Sequence, residues 1–91
     1  MKKTIKTASG FTCKIDPVIL DDMRLMDLIA ELDENQLLYP KFVKFLLGAD
    51  TKEKLYKHLE TKDGRVPIAA LDAELKEIME QLGDGEDTIK K

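Results

Sequence analysis

At 91 residues, 36% of them charged and 43% apolar, the chain has the length of one domain and the balance of a globular fold, which excludes disordered and collagen-like classes. No apolar run approaches the roughly 20 residues that cross a bilayer, the lone Cys13 excludes an internal disulfide framework, and the basic start Met1-Lys2-Lys3 lacks the apolar stretch of a secretory leader, so a cytoplasmic protein is expected. The net charge of −3 is laid out in blocks, +4 over residues 1–15, −6 over 16–40, +3 over 41–65 and −4 over 66–91, a pattern suited to pairing of segments or of copies and not to a nucleic-acid binder, which needs a net basic face.

Ile5 and Thr7, then Phe11, Cys13 and Ile15, alternate with polar residues on either side of Ala8-Ser9-Gly10. This predicts a two-stranded hairpin over about residues 3–16 with glycine in its turn. Such a hairpin is marginal alone and must pack on helices or on another chain. Helical spacing follows from about Ile19 to Glu34, where Leu25, Leu28, Ile29 and Leu32 form one cluster and Met23, Met26 and Ala30 widen it. Asp27, Glu31 and Glu34 mark a narrow wet side, and Asp21 and Asp22 suit the positive end of the helix dipole.

A second helix is predicted from about Pro40 to Leu47, apolar over more than half its circumference through Phe42, Val43, Phe45, Leu46 and Leu47, with Lys41 and Lys44 as the exposed edge. Gly48 is placed to close it in a left-handed cap, while Asp50 and Glu53 read as a capping box for a third helix over about Thr51–Glu60. Asp63-Gly64 marks a turn, and Pro67 stands where a first helical residue tolerates a missing N–H. A fourth helix runs from about Ile68 to Leu82, with Ile68, Leu71, Leu75, Ile78, Met79 and Leu82 in a stripe of about 100°. Gly83 ends it, and residues 84–91 read as a disordered tail. The expected fold is therefore mainly α, a single four-helix domain over residues 1–83 with a short N-terminal hairpin.

Catalytic and metal-binding equipment is not legible. His58 and Cys13 cannot furnish the three or four spaced ligands of a zinc site. Read as a calcium loop, the stretch after Thr61 would offer Thr61, Asp63, Arg65 and Asp72, with Val66 where the sharp-turn glycine belongs and Arg65 aiming a cation at a cation. Phosphate loops, nucleotide fingerprints and serine elbows are missing from the sequence. No catalytic, cofactor or metal residue is assigned, and the chain reads as a non-enzyme. A helix-turn-helix is the competing motif, with Thr51, Lys52 and Lys54 facing a major groove. The wide apolar arc around the second helix is either core or a surface for a partner, and Leu37, Leu38, Tyr39, Phe42 and Phe45 are the expected partner-binding residues.

The run from Leu20 to Asp33 resembles the first helix of tail assembly chaperones from long-tailed phages and prophages of Gram-positive bacteria. The likeness continues through Phe45-Leu46-Leu47-Gly48, Leu55-Tyr56-Lys57-His58-Leu59, Asp63-Gly64-Arg65-Val66-Pro67 and Glu77-Ile78-Met79, covering roughly residues 11–83. The resemblance implies a small helical protein of the infected cell's cytoplasm that coats the tape measure protein, helps recruit tail tube subunits and is absent from the finished particle. It also implies a second, frameshifted form, with which the ending Ile89-Lys90-Lys91 is compatible. On this reading the hairpin and the second helix would carry contacts with the client or between copies.

Overall fold

A computed structural model of the chain describes residues 2–83. Met1 and residues 84–91, the expected tail and frameshift region, lie outside the described residues. Two antiparallel strands, β1 (Lys3–Lys6) and β2 (Thr12–Ile15), are followed by four helices, α1 (Met23–Leu32), α2 (Tyr39–Leu47), α3 (Ala49–Leu59) and α4 (Ile68–Gly83). This is the mainly α domain with an N-terminal hairpin that the periodicity predicts.

The hairpin pairs Lys3 with Ile15 and Ile5 with Cys13. Alternation then sends Ile5, Cys13 and Ile15 to one buried face and leaves Thr4, Lys6, Thr12 and Lys14 outside. Its turn is a three-residue loop in which the Gly10 N–H donates to the Thr7 carbonyl at 2.9 Å, the Thr7 N–H to the Phe11 carbonyl at 2.9 Å, and Gly10 takes φ 96°. The Thr7 hydroxyl, buried, accepts from the Phe11 N–H at 3.3 Å. Thr61-Lys62-Asp63-Gly64-Arg65 repeats the arrangement: Gly64 N–H to Thr61 carbonyl at 3.0 Å, Thr61 N–H to Arg65 carbonyl at 2.8 Å, and Arg65 N–H to the Thr61 hydroxyl at 3.2 Å. A threonine hydroxyl thus serves as backbone acceptor in both turns.

Three long-range polar contacts fasten the hairpin to α4. The Glu77 carboxylate accepts the Ala8 N–H through both oxygens at 3.1 and 2.9 Å, the Gln81 side-chain amide donates to the Lys6 carbonyl at 2.8 Å, and the Lys3 ammonium donates to the Gln81 carbonyl. Glu77 and Gln81 are one turn apart, so a single helix face grips the turn and both ends of β1. Below them Ile5, Leu25, Val43, Leu55, Ile78 and Leu82 form the fully buried centre, to which every helix contributes.

The segment expected as one helix from Ile19 to Glu34 is broken in two. A 3₁₀ turn spans Pro17–Asp21, with the Asp16 carboxylate accepting the Val18 N–H at 3.1 Å. Asp22 then leaves the helical region at φ −135° and caps α1 by accepting the Arg24 N–H at 2.9 Å. Each aspartate competes with helix continuation by capping the turn after it. Asn35 repeats the device for the 3₁₀ turn Gln36–Leu38, accepting the Leu37 N–H at 3.1 Å.

Gly48 is the whole connection between α2 and α3. Its φ of 88° is positive as expected, but ψ is 157°, a region open to glycine alone and not the left-handed cap. Its N–H donates to the Lys44 carbonyl at 2.8 Å and its carbonyl accepts the Lys52 N–H at 3.0 Å, closing one helix and opening the next. The expected capping box is accordingly corrected: Asp50 lies inside the first turn of α3, and α3 has no side-chain cap. Nothing lies within 4 Å of where a Gly48 Cβ would sit, so Gly48→Ala is strained by backbone conformation alone. It is expected to cost about 1–3 kcal/mol, read as a lower denaturant midpoint with unchanged slope.

Candidate partner-binding surface

The apolar arc of α1 is wider than its neighbours can cover. Leu25 and Leu28 are buried and Leu32 packs against the core, while Met23 and Met26 remain 71% and 51% exposed and Ile29 stands at the margin. These three occur at i, i+3 and i+6 and share one flank of the helix. Just beyond the end of α1, Leu37 is 87% exposed. Ile68, expected inside the stripe of α4, is 70% exposed. It stands at the first position of that helix.

Of the five residues expected to bind a partner, Leu37 is open to solvent, Leu38, Tyr39 and Phe45 are half-buried, and Phe42 is core at 7% exposure. Phe42 is thereby corrected. Together with Val43, Leu46 and Leu47 it turns the apolar arc of α2 inward, and its ring stacks on Tyr39 with centroids 6.3 Å apart. In the hairpin Ile5, Phe11, Cys13 and Ile15 are all consumed in the chain's own core, which leaves Thr4, Lys6, Thr12 and Lys14 outside. What α2 shows outside is Lys41, Lys44 and the edge of Phe45, around an open groove of about 450 Å³.

Leu32, Gln36, Tyr39, Ile68 and Asp72 line a smaller groove of about 260 Å³ where the end of α1 meets the start of α4. Across it the Tyr39 hydroxyl donates to the Asp72 carboxylate. Burial, and then this carboxylate, push the Tyr39 phenol well above its ordinary value of 10. A phenol whose folded value is raised contributes stability in full below pH 10. That contribution is lost at higher pH, as the unfolded phenol ionises and the folded one does not. Tyr39→Phe is therefore expected to remove the later of two phenolate transitions in an ultraviolet titration and to flatten the alkaline loss of stability.

Two contacts escape the sequence pattern. His58 Nε2 lies 3.0 Å from the Ser9 hydroxyl, and its ring meets Phe11 at 5.4 Å between centroids. Both Ser9 and His58 are exposed, so the pair docks the hairpin turn on α3 at the surface. Glu74 is 6% exposed on α4, and its Oε1 has no hydrogen-bond partner. It stands close enough to Cys13 that its charge adds to the main effect of burial in pushing that thiol up.

Three of the four positions of the would-be calcium loop are bonded to one another, and the fourth is engaged elsewhere. Asp63 accepts from Thr61 and from Arg65 Nε, the latter at 3.2 Å, while Asp72 is held by Tyr39. Among the described residues no group of three His, Cys, Asp or Glu could hold a metal, and no helix is long and apolar enough to cross a membrane. For the helix-turn-helix reading, Ala49 and Asp50 belong to α3, so one residue joins the helices where that motif uses three or four. Thr51 and Lys52 are half-buried, with the Lys52 ammonium 5.3 Å from the centre of the Tyr56 ring, and Lys54 alone of the three is exposed. Compared with protein-family models, curated proteins and solved structures, the chain matches none.

Proposed function

We propose that this chain is a tail assembly chaperone of a long-tailed phage or prophage, working in the host cytoplasm to hold the tape measure protein and help bring tail tube subunits to it. The observation that supports this reading is the uncovered apolar surface of Met23, Met26, Ile29 and Leu37 on and just beyond α1, with Val18 and Ile68 exposed elsewhere on the domain. Polarizable methionines suit a surface that must accept many segments of one long client. Many copies on one client would then gain by multivalency what each lacks in affinity.

Co-expression with the tape measure protein of the same phage or prophage is the test. The wild type is expected to keep that protein soluble, and a Met23→Gln, Met26→Gln, Leu37→Gln variant to lose it while melting normally. A client equally soluble with and without the chain would overturn the proposal. Salt-sensitive binding to duplex DNA through Lys54 would turn the reading toward a regulator instead.

A further inference from the structure

We infer that the outer flank of α1 receives a cationic amphipathic helix, one whose apolar stripe is bordered by lysine or arginine. The inference rests on the chaperone reading and narrows it to a chemical class of client. Met23, Met26 and Ile29 run about 9 Å along α1, a length that two turns of a partner helix can cover with i, i+3 and i+7 anchors. The chain around them is acidic. Asp27 and Glu31 follow the solvent side of the stripe and Asp33 and Glu34 lie past its end, with Arg24 the one cation between residues 21 and 34, while Asp21 and Asp22, which precede the stripe, share a groove with Lys2 and Lys14. An apolar strip inside such a frame admits a helix with basic borders and repels one with acidic borders, because the flanking charges meet as the strip loses water.

The described residues of a second copy do not supply that helix. Its basic helices lack an open apolar stripe: α2 turns Phe42, Val43, Leu46 and Leu47 inward and shows only the edge of the half-buried Phe45 between Lys41 and Lys44, and α3 buries Leu55 and half-buries Leu59 and Tyr56, the last with the Lys52 ammonium over its ring. The open apolar side chain of α4, Ile68, shares its outer face with Asp72. The matching chemistry must therefore come from another protein.

The probes are two amphipathic peptides of about 20 residues, long enough to hold a helix, with one leucine stripe and either lysine or glutamate on its borders. Titrated by calorimetry against the full chain, the lysine peptide is expected to bind at least about tenfold more tightly than the glutamate peptide, and to weaken with salt. Met23→Gln, Met26→Gln, Ile29→Gln keeps every charge and should weaken the lysine peptide at least about tenfold with an unchanged melting curve. Asp27→Lys, Glu31→Lys should reverse the preference. Equal binding of both peptides, failure to bind either, or full binding by the glutamine variant would overturn the inference. So would sedimentation showing a wild-type dimer that the glutamine variant dissolves, since a second copy would then own the stripe. The client test stays separate. A tape measure protein that needs the chain for solubility, with no charge preference between peptides, preserves the chaperone reading and removes this one. Peptide discrimination with an indifferent client does the reverse.

Discussion

Phe42→Asp is expected to unfold the protein, whereas Leu37→Asp, five residues away, is expected to leave its melting temperature nearly unchanged. Phe42 is 7% exposed, stacked on Tyr39 and enclosed with Val43, Leu46 and Leu47. Removing such a ring from a core costs about 3–5 kcal/mol before any charge is considered. The aspartate must then either stay ionised without a partner or take up a proton, which adds several kcal/mol. A domain of this size has only about 5–14 kcal/mol of net stability. Leu37, 87% exposed, gives up almost no buried area when it becomes aspartate. Circular dichroism of the two variants separates them: a folded Phe42→Asp would return that side chain to the surface, and a collapsed Leu37→Asp would place it in the core. Leu37→Asp therefore tests partner binding, and Phe42→Asp tests only folding.

The contrast between those residues shows what local pattern carries and where it stops. Alternation of Ile5, Cys13 and Ile15 around a glycine turn specifies which hairpin face is buried, because a strand has two faces and one is plainly apolar. Spacing also specifies the helices α2 and α4 to within a residue or two, since both have strong stripes and Pro40 and Pro67 mark their starts. On α1, periodicity places Leu25, Leu28, Met23 and Met26 on one broad arc, yet it cannot tell which part a neighbour covers. That depends on where α2 crosses, and the crossing leaves the methionines outside. The contacts of Glu77 with Ala8, Gln81 with Lys6 and His58 with Ser9 join residues far apart in the chain, so nothing near any of them announces the pairing. The break at Asp22 was legible in principle. Aspartates at positions 16 and 22 each precede a turn they cap, and the apolar arc running through them masks that signal.

Glu74→Met is expected to stabilise the fold by about 1–2 kcal/mol, which for a domain of this length is a rise of about 5–10 °C in melting temperature. Glu74 sits at the edge of the α4 stripe, between Leu71 and Ile78, and the core draws it to 6% exposure. There Oε1 has no hydrogen-bond partner, so one carboxylate oxygen has been taken from water without return. Methionine has nearly the same length and volume, is unbranched, and favours a helix, so it can occupy the space without overpacking. Glu74→Gln keeps the size but not the charge and should fall between the two. In both variants the Cys13 thiol loses the lesser of the two influences that push it up, and its thiolate absorbance should appear at lower pH, while burial holds it above an exposed thiol. A melting temperature that drops in Glu74→Met would mean the carboxylate is engaged by a cation in solution. Its burial would then be the mark of a paired charge, and the shortfall at Oε1 would carry no cost.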